Sequence, residues 1–415
     1  MQEKELSDIF KKEYSNLVAV LCHYYGVHDV QLAEDLVSET FVRAMRSWSH
    51  SGIPDSPKAW LRKVAQNKLK DHYRRQKTFD SKILPAVDES DRLAPAVEIT
   101  DEIIEDSQLR MIFVVCDPAL GGESQICLAL RILCGFNIDE IATALLSNKE
   151  AINKKLYRAK KAIKSWEQFE TSLSREAYAG RLDSVLRVIY LLFSEGYYSS
   201  VNEESIRHDI CWNAMRLGVF LTRHEVFPKP KIHALLALMC FHASRLDARS
   251  SGNNGDILYD QQDRSLWNTE LIQKGETYLN RAAQGEIVSK YHIEAAIAYW
   301  HTVSDEGKWE RILQLYNKLL ILEYSPIIAL NRTYALAKAN SVEEAIREAQ
   351  KLALEDSHHY HCLLAELYRM NGERDRERGY LASALELAIK KSEKELIRNK
   401  LELAERCMSD KNSGD

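Results

Sequence analysis

The stretch NIDEIATALLSNKEAINKKLYRAKKAI, residues 137–163, decides how this chain is read. Asn137 with Glu140 three residues on is a helix start, and IDEIATALL then carries the apolar period of a short helix. Ser147 with Glu150 reads as a capping box that opens a second helix at about Asn148. Two helices across so short a turn, the second strongly basic, form the sequence pattern of a DNA-binding helix-turn-helix. Between 147 and 166 the basic residues are Lys149, Lys154, Lys155, Arg158, Lys160, Lys161 and Lys164. The first turns of such a helix meet base edges, here Asn148, Lys149, Glu150, Asn153 and Lys154. Asn can bond adenine in two places, Lys can reach guanine, and Glu can accept from cytosine. Lys155, Arg158, Lys160 and Lys161 complete the DNA-facing set, the later ones meeting phosphates. The plainer alternative is a solvated basic face. The two caps and the short turn favour DNA.

This basic helix sits in a mildly acidic protein. The 415 residues carry 56 Lys and Arg against 61 Asp and Glu, a formal charge of -5. The chain is 45% hydrophobic and 28% charged, as globular proteins are. Its length suits two to four domains at roughly 100–200 residues each. No run approaches the ~18 apolar residues of a membrane helix, and MQEKELSDIF has no signal-peptide pattern. The expectation is a cytoplasmic chain with no membrane partner. The eight cysteines are scattered without a C-x-x-C pair, as reduced core thiols would be.

Strand signals are nearly absent and helical periodicity recurs throughout, so the fold class is all-α. Helices are expected at about 5–25 and 29–48, where Leu32, Leu36, Phe41 and Met45 mark an apolar side. After the loop SHSGIPDSP, Ser56 as N-cap and Pro57 as first helical residue open a helix to about Gln76. Its stretch 60–77, WLRKVAQNKLKDHYRRQK, holds seven basic residues against Asp71 alone. Trp60, Leu61, Val64, Ala65, Leu69 and Tyr73 fall on one face, and Lys63, Asn67, Lys70 and Arg74 on the other. Aromatics among basic residues suit single-stranded nucleic acid, but Trp60 reads more simply as core. Residues 78–106 form an acidic strap, nine carboxylates against two basic residues, with Pro85 and Pro95. It is expected to be extended or loosely ordered.

From about 175 the chain is helical without a basic bias. YNKLLILEYSP (316–326) resembles YLASALELAIK (380–390), with leading tyrosines 64 residues apart. That is about twice the ~34-residue period of tetratricopeptide repeats. Ser341 with Glu344 is a further capping box. Residues 291–406 therefore read as degenerate repeats stacked as a small solenoid. HHYHC (358–362) offers metal-ligand types but no complete ligand set, and reads as a repeat-helix start. Trp212, Trp267, Trp300 and Trp309 read as core. No phosphate loop, H-E-x-x-H or nucleophile elbow occurs, so neither an enzyme nor a cofactor or metal site is expected.

AEDLVSETFVRAMRSW (33–48), PDSPKAWLRKVAQNKLKDHYRR (54–75) and the helix-turn-helix 137–163 together resemble an extracytoplasmic-function, group IV, bacterial RNA polymerase sigma factor. The remainder is similar to a subgroup with a long C-terminal helical extension, through VLRVIYLLFSEGYYSS (185–200), ALLALMCFHASRLDAR (234–249), DQQDRSLWNTELIQKG (260–275) and SPIIALNRTYALA (325–337). The resemblance implies a sigma region 2 over 1–77, an acidic linker over 78–106, and a region 4 over 107–168. A helical extension over 175–290 and tetratricopeptide-like repeats over 291–408 follow.

The resemblance also implies roles. Asp35, Leu36, Glu39, Thr40, Phe41 and Arg43 would dock on the β′ clamp helices of core RNA polymerase. Asp35, Glu39 and Arg43 also recur four apart on one exposed stripe, where intrahelical ion pairing is the alternative. Loop residues Ser51, Ile53 and Asp55 would capture a flipped base of the −10 element, with Lys63, Asn67, Lys70 and Arg74 lining that region. The helix 148–164 would read the −35 element, region 4 would meet the β flap, and the strap would thread toward the RNA exit path. Gln66, Ser38 and Leu146 depart from residues common in the family. The extension is expected to regulate in cis or through a bound protein or ligand. The competing readings are a polymerase-independent helix-turn-helix regulator with a helical sensory domain, and a repeat scaffold. Neither explains the motifs at 33–75.

Overall fold

The computed structural model describes residues 2–26, 29–83, 99–145, 147–164, 175–198, 204–250, 262–389 and 391–412. All regular structure among them is helical. The chain divides into two compact units, Met1–Phe227 and Pro228–Asp415.

The first unit is built around α1 (Gln2–Tyr25), which packs on α2 (Val30–Ser51), α3 (Pro57–Ile83) and α4 (Asp101–Val115). Residues 13–22 of α1 are all buried, so this helix is a central post rather than an amphipathic surface element. Helix α3 begins at Pro57 as expected but runs to Ile83, taking in the start of the acidic strap. The remainder of the strap up to 98 lies outside the described residues. Thr100 Oγ1 accepts from the Ile103 amide at 3.3 Å and starts α4. α5 (Gly122–Leu128) continues into a π turn, Ala129–Leu133, and α6 (Ile138–Ala144) and α7 (Lys149–Lys164) follow.

Helices α8 (Arg175–Tyr197) and α9 (Glu204–Thr222) pair with each other, α8 against α4 and α5, α9 against α6. Arg181 Nη1 donates to Asp117 at 3.0 Å, and Arg216 Nη2 to the Leu133 carbonyl at 3.0 Å. These helices, expected with the extension, thus close over the 99–145 core. Trp212, expected in a core, is 45% exposed on α9.

The second unit opens with α10 (Lys229–Ala243), buried nearly all round, then α11 (Leu246–Ser250) and α12 (Thr269–Ala282). A Cβ on Gly275 would meet the Phe241 ring at 2.6 Å, so only a glycine lets α12 lie this close to α10. Helices α13 (Lys290–Thr302), α14 (Lys308–Leu322), α15 (Pro326–Ala339), α16 (Val342–Lys351), α17 (His358–Met370), α18 (Arg374–Leu387) and α19 (Lys391–Asn412) then pack each on the next. The two similar stretches begin in α14 and α18, each the second helix of a pair, with the α15–α16 pair between them. Ser341 Oγ accepts from the Glu344 amide at 3.1 Å and donates to Glu343 Oε2 at 2.8 Å, so Ser341 caps α16 through one half of the expected box. HHYHC opens α17, where His361 Nε2 donates to the Glu355 carbonyl at 2.7 Å. Trp267 is buried, and Trp300 and Trp309 are half-buried.

Candidate nucleic-acid interface

Helix α6 is fixed by a complete capping box. Asn137 Oδ1 accepts from the Glu140 amide at 2.9 Å, and Glu140 Oε2 accepts from the Asn137 amide at 2.8 Å. The start of α7 differs from expectation: Asn148, not Ser147, is the cap, its Oδ1 accepting from the Ala151 amide at 2.7 Å. That oxygen is occupied, leaving the amide nitrogen as the group Asn148 can offer outward. Leu146, in the turn, lies outside the described residues.

Ile152, Leu156, Ala159 and Ile163 are buried at helical spacing and set the orientation of α7. Lys149, Glu150, Asn153, Lys154, Arg158 and Lys161 consequently face solvent. Tyr157, 69% exposed, stands in the middle of this face. Sequence reasoning passed over it, although its position four residues after Asn153 and four before Lys161 was the available signal. Lys149 reaches back to Asp139 of α6 at 2.8 Å, and half-buried Lys155 bonds Glu123 of α5 at 2.7 Å.

Lys160 is separated from the others. Its ammonium bonds Gln31 Oε1 at 2.9 Å and pairs with Glu34, both on α2. Glu34 is buried, and also accepts from the Tyr14 hydroxyl at 2.7 Å and from Arg131 Nε at 2.7 Å. Burial alone would raise the Glu34 pKa. Lys160 and Arg131 outweigh that and hold it below the ordinary carboxylate value. The same environment pushes the Tyr14 phenol well up, burial first and the Glu34 charge second.

Around α3, Leu61, Val64, Ala65 and Leu69 are buried, while Lys63, Asn67, Lys70 and Arg74 are exposed. Trp60 is half-buried, edge-on to Trp48 with ring centres 5.5 Å apart. Ser51 is the last residue of α2, and Gly52, at φ +77°, ends the helix in a conformation favouring glycine. Ile53 (46% exposed) and Asp55 then present themselves to solvent. An open cleft beside this loop is lined by Ser56, Lys58, Arg62, Lys63, Gln66 and Asp101. Arg62 Nη2 bonds Asp101 at 2.8 Å across it.

On α2 the apolar side is not the one expected. Ala33, Val37, Thr40, Ala44 and Trp48 are buried, whereas Met45 is 61% and Val42 47% exposed. The small residues let α2 approach α1 closely, which turns Met45 outward. Asp35, Glu39 and Arg43 share this outward side, Leu36 and Phe41 are half-buried, and Thr40 points inward, its hydroxyl donating to the Leu36 carbonyl at 2.8 Å. Asp35 accepts from Gln31 at 3.1 Å, and Glu39 pairs with Lys68 of α3. Val42 and Met45 thus stand exposed among charged side chains on this outward side.

No helix among the described residues is long and apolar enough to cross a membrane. Among them, too, no three His, Cys, Asp or Glu side chains converge to hold a metal ion.

Comparison with known proteins supports the reading of the first unit. Residues 10–79 match the family model for sigma-70 region 2, and residues 181–283 match a family of unknown function, DUF6596. The chain is 33% identical over 396 residues to an uncharacterized protein of Rhizobium meliloti, covering 93% of this chain and 92% of that one. It is 25% identical over 143 residues to the ECF RNA polymerase sigma factor SigX of Bacillus subtilis, covering 34% of this chain and 73% of SigX. It is 30% identical over 147 residues to the ECF RNA polymerase sigma factor BldN of Streptomyces coelicolor, covering 34% of this chain and 52% of BldN. No solved structure gives a significant match.

Proposed function

We propose, from the premise that this chain belongs to the extracytoplasmic-function family of RNA polymerase sigma factors and serves transcription initiation, a division of labour among its helices. The chain is an initiation factor and not an enzyme; bond making belongs to the polymerase. Core RNA polymerase and promoter DNA are its partners.

The outward face of α7 reads the −35 element. Lys149, Glu150, Asn153 and Lys154 meet base edges, Arg158 and Lys161 meet phosphates, and Tyr157 packs against the groove wall. Loop 52–56 takes a flipped base of the −10 element. Lys63, Asn67, Lys70 and Arg74 neutralise the adjoining strand. Asp35, Glu39, Arg43, Val42 and Met45 dock on the β′ clamp helices, and the second half of the unit meets the β flap. The second unit regulates these contacts, in cis or through a bound protein or ligand.

The observation that carries this reading is the division of α7. Four buried apolar residues hold the helix from one side, while Glu150, Asn153, Lys154, Tyr157, Arg158 and Lys161 are exposed on the other. Run-off transcription with bacterial core polymerase, with and without this chain, tests it. Specific starts that need the chain support the reading. Duplex binding without any association with core polymerase would move the polymerase-independent regulator to the front.

A further inference from the structure

The repeat-like half of the second unit has two unlike edges. Short turns set each helix from α13 to α19 antiparallel to the next, so alternate loops share an edge. Lys290 at the start of α13 bonds Glu323 just past α14 at 2.9 Å, and His358 at the start of α17 lies 3.6 Å from Glu393 near the start of α19. These contacts put the loops α12–α13, α14–α15, α16–α17 and α18–α19 along one edge. The loops of the opposite edge are largely polar: Ser304, Asp305 and Glu306, then Asn340 and Ser341, then Asn371 and Glu373.

The first edge is apolar. Ile287 and Val288 precede α13, Ile321 and Leu322 end α14, and Tyr324 and Ile327 flank the start of α15. Ile321 is 85%, Ile287 82% and Tyr324 68% exposed, and the other three are exposed as well. At such exposure these side chains contribute little to the core on which they stand. The Lys290–Glu323 bond holds the two loops side by side, so the six residues form one patch. Farther along the same edge, Leu387 and Ile389 are exposed after α18. The two stretches that resemble each other in sequence, 316–326 and 380–390, both run out into this edge.

The patch presents on the order of 600 Å² of apolar surface, high for a monomer and close to the ~800 Å² that each partner of a stable complex buries. Its rim carries both signs: Lys290 and Lys318 stand beside Glu286 and Glu323. A nucleic acid or an anionic lipid surface calls for a rim of basic residues alone. A balanced rim instead suits its own copy turned about a two-fold axis, where lysines of one chain face carboxylates of the other.

We propose that this edge is a self-association surface, through which two copies of the chain pair in an isologous dimer. Ile321 and Tyr324 lie at its centre, with Ile287 and Val288 on one side and Ile327 on the other. An aromatic ring at the centre of an apolar patch is the kind of group that carries binding energy. The second unit thereby joins two chains, and the fraction joined rises with chain concentration. The inference goes beyond the initiation reading and does not depend on it, since it uses the second unit alone.

Sedimentation equilibrium of the full chain, from roughly 1 to 100 μM, tests it. The mass should rise to that of two chains. Ile321→Asp and Tyr324→Asp should each weaken pairing by at least ~10-fold. Their circular dichroism should stay that of the wild type, because both side chains are exposed. Glu306→Arg, on the opposite edge, should pair as the wild type does. A single-chain mass across the whole range overturns the proposal, as does wild-type pairing by either folded Asp variant. A benzophenone amino acid in place of Tyr324 gives a second reading that needs no charged substitution. In a mixture of isotopically light and heavy chains, it should crosslink to 287–288 or 321–327 of a second copy. Crosslinks confined to one chain, or to another face of the second copy, overturn the proposal. Co-sedimentation of single chains with phosphatidylcholine–phosphatidylglycerol vesicles, lost in Ile321→Asp, overturns it in favour of a lipid surface.

Discussion

Glu294 offers a sharp test of the second unit. It sits on α13, with its Oε2 buried and without a hydrogen bond among the described residues. Lys290, one turn earlier, gives its ammonium to Glu323 at 2.9 Å rather than to Glu294. Burial therefore dominates, Lys290 offsets it only partly, the Glu323 charge adds to it, and the carboxyl pKa rises from 4.5 to about 7. The folded state thus holds a proton that the unfolded chain gives up near its ordinary value. Stability falls as pH rises from about 4.5 to about 7 and stays low above that. A shift of about 2.5 units corresponds to about 3 kcal/mol at ~1.4 kcal/mol per unit. Glu294→Gln keeps the shape and removes the charge. It should stabilise the second unit by about 3 kcal/mol at pH 8 and change little at pH 4. For a unit of this size that is roughly 6–12 °C in the transition assigned to it. Calorimetry of the full chain across this pH range measures it. A Gln variant that gains nothing at pH 8, or gains equally at both pH values, refutes the reasoning.

The other expectations follow from the first unit. With about six phosphates neutralised by α3 and α7, duplex binding by the holoenzyme should weaken roughly 10³-fold between 50 and 200 mM salt. Lys161→Ala should reduce the slope of log affinity against log salt by ~0.9, read by filter binding or anisotropy. Val42→Asp and Met45→Asp should weaken association with core polymerase in a pull-down while changing stability by no more than about 0.5 kcal/mol, since both side chains are exposed. Gly135→Ala should destabilise the first unit by at least ~1–2 kcal/mol in denaturant unfolding, because a Cβ is disfavoured at positive φ. The Glu34 carboxylate, held below its ordinary pKa, stabilises the folded first unit above the ordinary carboxylate range. That contribution should persist at pH 5 and be lost as acid protonates the folded form, read by acid unfolding of the full chain.

What was legible in the sequence was local. The Asn137–Glu140 box and Pro57 at a helix start are set by residues within a few positions of one another. So is the outward face of α7. What was not legible depended on distant partners. Glu34 lies 97 residues from Arg131 and 20 from Tyr14, and no helical period announces a carboxylate that will be buried. The position of Met45 is decided by Ala33, Val37 and Ala44 packing on α1, which outweighs its own hydrophobicity. Trp212 was placed in a core on residue type alone, and large aromatics are often only partly buried. The family resemblance supplied the roles of loop 52–56 and α2, which residue patterns alone would have left as a solvated loop and a salt-bridged helix.

The one-sided anchoring of α7 also bears on how such a protein changes over time. Ile152, Leu156, Ala159 and Ile163 hold the helix from one side, so residues 149, 150, 153, 154 and 157 can vary at little cost to folding. Substitutions there alter which DNA is preferred without asking the scaffold to adapt. A duplicated copy of this gene could drift to a new set of promoters while its fold and its second unit stay as they are.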